Sequence, residues 1–112
     1  SLNHDNQLEN LLYDFTVNRP AARTKEDMLN KMSWTDDGHT YFRMDDFYSF
    51  CKRNNWEMDK IKTGNLIKTL EDIFEDEIRM TLKNQTPRVI KIKAMKKTKA
   101  EISQEKYQET PF

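Results

Sequence analysis

Only two glycines occur in the 112 residues, which leaves no room for a glycine-rich loop that cradles phosphate with its backbone. A single cysteine, Cys51, excludes an internal disulfide and a cysteine-built zinc site, and it fits a reducing compartment. The two histidines, His4 and His39, lie far apart in the chain and suggest no metal cluster. No apolar run approaches the ~20 residues that span a bilayer, and no signal peptide is visible. Apolar residues are scarce at 36%, so the core must be small. Six Phe, four Tyr and two Trp compensate, because each ring buries a large area. The chain begins Ser1-Leu2-Asn3-His4 with no Met, as expected of a fragment or a processed chain whose parent has its main activity elsewhere.

Net charge is also absent, with 19 Lys and Arg against 19 Asp and Glu, but the charge is sorted along the chain. Residues 1–77 hold 10 basic and 16 acidic side chains. Residues 78–99 hold eight basic ones (Arg79, Lys83, Arg88, Lys91, Lys93, Lys96, Lys97, Lys99) and no acid. A run of that kind is either a solvated face or a surface for a polyanion.

In chain order, Leu8, Leu11, Leu12 and Phe15 have helical spacing and predict a short amphipathic helix over residues 5–15, capped by Asp5 or Asn6. Asn18-Arg19-Pro20 breaks it. Thr24-Lys25-Glu26-Asp27 resembles a capping box and predicts a helix of about nine residues with Met28, Leu29 and Met32 on its apolar side. Trp34 is expected to pack on that helix. Thr35 to Gly38 reads as a turn, and His39 to Met44 as a short aromatic strand. Asp45 or Asp46 then caps a helix that turns Phe47, Phe50, Cys51 and Asn54 to one side. Asn54 and Asn55 end it, with Trp56 packed nearby.

Asp59 predicts the start of the next helix, and Leu66, Ile67, Leu70, Ile73 and Phe74 extend its apolar stripe as far as residue 74. Ile61, Gly64, Asn65, Lys68 and Asp72 fall on the opposite side. Ile78, Met80 and Leu82 alternate with Arg79, Thr81 and Lys83, Asn84 to Pro87 is turn chemistry, and Arg88 to Lys93 alternates β-branched residues with Lys. The order of helix, strand, two helices and a basic hairpin is that of a winged helix. The expected fold class is therefore α+β, mostly helical and winged-helix-like. The expected divisions are an N-terminal helix and linker (residues 1–23), the winged-helix-like domain (24–95) and a basic, polar tail (96–112).

On this reading the first half of the 59–74 helix and the hairpin contact DNA phosphates. The candidate binding residues are Lys60, Lys62, Asn65, Lys68, Arg79, Lys83, Arg88, Lys91 and Lys93. Glu71, Asp72 and the run Glu75-Asp76-Glu77 repel phosphate, which confines contact to the helix's first half. Asp36-Asp37 and Asp45-Asp46 read as a turn and a helix start rather than a magnesium site. Cys51 falls on an apolar face, where a thiol is inert. No catalytic residue, metal or cofactor is expected.

Tyr41-Phe42-Arg43-Met44-Asp45-Asp46-Phe47-Tyr48-Ser49-Phe50-Cys51-Lys52-Arg53-Asn54-Asn55-Trp56, then Lys62-Thr63-Gly64-Asn65-Leu66, then Pro87 to Ile92 resembles the C-terminal region of phage and plasmid primase-polymerase/helicase replication proteins. The resemblance covers residues 41–93, about half the chain. The closing strand of that family often reads Arg-Val-Trp, and Ile90 stands at the Trp position here. The resemblance implies a non-catalytic module that follows helicase and primase domains and works in the cytoplasm of a bacterial host cell. It implies DNA as a partner, with strandedness open, together with the upstream domains of the parent protein and no membrane. The alternative expectation is a protein-interaction or oligomerisation module, in which the acidic first part of one copy meets the basic edge of another.

Overall fold

The computed structural model of the chain describes residues 2–97. The first helix, α1, runs Leu2–Thr16 and buries Leu8, Leu12 and Phe15. It begins earlier than the spacing alone predicts. Asp5 thus sits in its first turn, where it meets the positive end of the helix dipole and is no cap. The Thr16 hydroxyl donates back to the Leu12 carbonyl at 2.8 Å, and Pro20 prevents continuation.

Lys25–Asn30 forms a 3-10 helix of six residues where a helix of about nine is predicted. The Asp27 carboxylate accepts from the Arg23 and Thr24 N–H groups at 3.2 and 3.4 Å, so the capping residues perform as read. Met28 is the segment's only fully buried side chain, too little packing to carry a longer helix. Lys31, at φ 65°, closes it.

Trp34–Asp36 is a strand, β1, joined to β2 (His39–Arg43) by Asp37 and Gly38. Both central residues have positive φ (49° and 78°), and an Asp-Gly pair adopts that conformation at low cost. The turn is thus two residues rather than four, and Trp34 belongs to the sheet. Helix α2 (Met44–Arg53) follows at once, with Phe47 and Cys51 fully buried. Asp45 and Asp46 lie in its first turn, and Arg43 takes the cap position expected of one of them.

The α2–α3 connection is pinned by side chains. The Trp56 indole N–H donates to the Thr63 hydroxyl at 2.7 Å, and that hydroxyl donates to the Asp59 carbonyl at 2.7 Å. The Tyr48 hydroxyl donates to the Met58 carbonyl at 3.0 Å. Helix α3 runs Lys60–Thr69, and the Asp59 carboxylate accepts from the Lys62 N–H at 2.8 Å as predicted.

The helix stops five residues short of the predicted end at Phe74. Glu71, Asp72, Glu75, Asp76 and Glu77 would all crowd the negative end of its dipole, and β-branched Ile73 favours extended backbone. A turn at residues 71–73 leads instead into β3 (Phe74–Arg79), which pairs with β4 (Arg88–Lys93). A bulge between Phe74 and Asp76 keeps Phe74 and Glu77 on the same side of the sheet. The hairpin tip is Leu82 to Gln85, bonded both ways at 2.8 and 3.0 Å, with Lys83 at φ 56°. This tip lies earlier than the predicted Asn84–Pro87 turn.

The sheet order is β1-β2-β4-β3, all antiparallel, in one compact α+β domain with four helical segments among the described residues. Helices α1, α2 and α3 cover one face. Phe15, Phe42 and Phe47 meet there with ring centroids 5.3–5.6 Å apart, beside Ile67, Ile90 and Ile92. Because α1 supplies Leu8, Leu12 and Phe15, it is a wall of this core. A smaller cluster on the other face joins Met28, Leu82 and Val89 with Trp34, Tyr41, Ile78 and Met80. The predicted tail beyond residue 97 lies outside the described residues. Among the described residues, no helix is long and apolar enough to cross a membrane.

Candidate nucleic-acid interface

Strand pairing decides which candidate residues share a side. Arg79 pairs with Arg88 and Glu77 with Ile90, and Ile90 is in the main core, so Arg79, Arg88 and Glu77 point toward the helices. Lys91 and Lys93 alternate with Ile90 and Ile92 and therefore point to the opposite face.

On the helix side, a cleft of about 560 Å³ opens between the start of α2, the start of α3 and the hairpin, lined by Arg43, Asp45, Lys60, Arg79, Pro87 and Arg88 among others. A cavity of about 250 Å³ shares Met44, Lys60 and Arg88 with it and extends along α3 past Ile61, Gly64, Asn65 and Lys68. Five of the predicted residues, Lys60, Asn65, Lys68, Arg79 and Arg88, thus meet along one groove. Gly64 leaves its floor bare; a Cβ there would meet only the Met44 Cε, at 3.9 Å.

The other four predicted residues lie elsewhere. Lys62 projects from the far side of α3 beside Met58, Leu66 and Thr69. Lys83 occupies the hairpin tip. Lys91 and Lys93 belong to the outer sheet face, where Lys91 Nζ lies 5.9 Å from the centre of the Tyr41 ring.

The hairpin is less basic than the sequence suggests. Glu75, Asp76 and Glu77, expected between the helix and the hairpin, are in β3 itself. Glu77 lies 3.3 Å from both Lys68 Nζ and Arg88 Nε, and Lys60 pairs with Asp45. Three of the groove cations therefore already have carboxylates. Arg79 has none among the described residues; its Nη1 donates to the Thr86 carbonyl at 3.2 Å. These pairs are partly exposed and so add little stability.

Arg43 was not among the predicted residues. It grips the Asp46 carboxylate with two bonds, Nε to Oδ2 at 2.6 Å and Nη2 to Oδ1 at 3.2 Å, and donates to the Leu29 carbonyl at 3.3 Å. Asp46 is only 9% exposed, which makes Arg43 a fixed strut at the groove's end rather than a free cation. Its place just before a helix start is a weak signal in sequence. Ile61 is 77% exposed at the groove's lip, as its position on α3 predicts.

Among the described residues, no group of three or more His, Cys, Asp and Glu side chains comes together to hold a metal ion. Burial pushes the Cys51 thiol up to about 12, so it is protonated and inert at neutral pH. The groove thus gathers Lys60, Lys68, Arg79 and Arg88 around a helix face that Gly64 leaves bare. No family model, curated protein or solved structure matches the chain.

Proposed function

We propose that α2, α3 and the β3–β4 hairpin act as a winged helix that binds DNA through its phosphates, as a non-catalytic module of a phage or plasmid replication protein. The groove carries this reading. It gathers Lys60, Asn65 and Lys68 from α3 with Arg79 and Arg88 from the hairpin, although these lie up to 28 positions apart in sequence. The run β2, α2, α3, β3 and β4, which follows the short helix and the edge strand β1, and the central β2-β4-β3 pairing support it. Contacts of this kind position the protein and carry little sequence preference.

Fluorescence anisotropy of a labelled duplex across a salt series tests the reading. Affinity should fall linearly in log salt, with a slope of about −0.9 per neutralised phosphate. Replacing Arg79 and Arg88 together by Ala should weaken binding and remove about two contacts from that slope. Wild-type affinity in the double variant would refute it.

A second reading rests on Ile61 and on the carboxylates that occupy the groove cations. An exposed Ile at the groove's lip suits a protein contact, to the upstream helicase or primase domains or to a second copy. Under that reading, duplex binding is absent even at low salt, and Ile61→Asp abolishes association measured by sedimentation.

A further inference from the structure

The outer face of the sheet presents a row that no single stretch of sequence reveals. Trp34 of β1 pairs with Tyr41 of β2, and Tyr41 pairs with Lys91 of β4. The next row on the same face runs from exposed Asp36 through His39 to Lys93. The Trp34 and Tyr41 rings lie 5.2 Å apart and are tilted by 34°, close to a stacked arrangement. Both are half-buried and pack against the Met28–Leu82–Val89 cluster. Lys93 is exposed.

These two ammonium groups differ from those of the groove. Neither Lys91 nor Lys93 forms an ion pair with a carboxylate among the described residues, whereas Lys60, Lys68 and Arg88 all do. Asp76 stands across from Lys91, but its carboxylate accepts from the Glu77 N–H at 2.8 Å instead. Two positions apart on one strand, Lys91 and Lys93 lie ~7 Å apart along it. That spacing suits neighbouring phosphates of an extended strand.

We propose that this outer face binds a single-stranded nucleic acid, with bases stacked on Trp34 and Tyr41 and phosphates on Lys91 and Lys93. The chemistry selects a single strand because a duplex hides its base faces inside the stack, and aromatic platforms beside cations are the means by which proteins hold unpaired strands. The site is separate from the groove and stands or falls without it.

The test is anisotropy of a labelled short oligothymidylate titrated with the full chain, with tryptophan emission followed in parallel. Trp56 is 4% exposed and bonded to Thr63, so quenching on binding reports Trp34. The proposal expects saturable binding with quenching. It expects Lys91→Gln with Lys93→Gln to weaken affinity about tenfold and flatten the salt slope by ~1.4. Trp34→Ala should weaken it about tenfold as well. Because that change thins the cluster beneath, Trp34→Phe serves as its control: it keeps a ring and should stay within about threefold of wild type. Arg79→Ala with Arg88→Ala should leave oligothymidylate binding unchanged. No binding at low salt, binding without quenching, or loss caused by the groove pair instead of the lysine pair would overturn the assignment.

Discussion

The two faces of the sheet manage their cations in opposite ways. On the helix side, Lys60, Lys68 and Arg88 are held by Asp45 and Glu77, and Arg43 by Asp46. On the outer side, Lys91 and Lys93 have no such partner among the described residues and stand near aromatic rings. Held cations are positioned in advance but must give up a carboxylate before they meet a phosphate. Free ones attract an anion at full strength and are fixed only when it arrives. On the proposed readings the groove trades affinity for geometry, and the sheet face does the reverse.

The largest effect should come from removing what both faces share. Phe42 is fully buried between α1, α2 and the sheet, and Phe42→Ala should cost about 3–5 kcal/mol in urea unfolding and abolish ligand binding on both sides together. Alkali should act from the helix side, where Cys51 lies. Its thiol is held protonated up to about 12 in the folded chain, against an ordinary value of 9.0. The unfolded chain thus loses this proton first, and the thiol's contribution to stability should decline as pH rises from about 9 to about 12. Cys51→Ala, compared with wild type by denaturant titration across that range, should remove this part of the decline.

Glu77→Gln should separate the two faces. It frees Lys68 and Arg88, so duplex affinity should rise about three- to tenfold while oligothymidylate binding stays the same. A fall in duplex affinity would mean that Glu77 aims the two cations rather than masking them. The smallest effect concerns the groove floor. Gly64→Ala has room for its methyl group and should stabilise α3 by about 0.5–1 kcal/mol in thermal unfolding. If duplex affinity drops despite that gain, a ligand passes close to this backbone.

Much of the fold was legible because local chemistry and tertiary packing agree. Asp59 caps α3, Leu8, Leu12 and Phe15 bury one side of α1, and Asp37-Gly38 turns the chain. The end of α3 was misread because Leu66, Ile67, Leu70, Ile73 and Phe74 satisfy helical spacing while the last two are also half-buried at the entrance to a strand. Apolar periodicity cannot separate those cases. The acids that follow were the better guide, since they suit a helix C-terminus poorly. The candidate site inherited this error. With the helix read to residue 74 and the hairpin begun at Ile78, Glu75 to Glu77 fell between them, the hairpin counted as wholly basic, and the Glu77 pairs were invisible. The split of the cations between faces was also hidden, because it depends on the bulge and on the register of β4 against two neighbours. Trp34 was read only as a packing residue because β1 is three residues long, too short for alternation to be read.

The tip of the hairpin has a thermodynamic corollary. Leu82 is fully buried against Met28 and Val89, so the end of the hairpin is docked on the body of the domain. A free loop of that kind loses conformational entropy each time it meets a ligand. Here that cost is met once, during folding. Association through this edge should therefore show a small heat-capacity change and little ordering of the chain. Its temperature dependence will then reflect ion release far more than rearrangement of the protein.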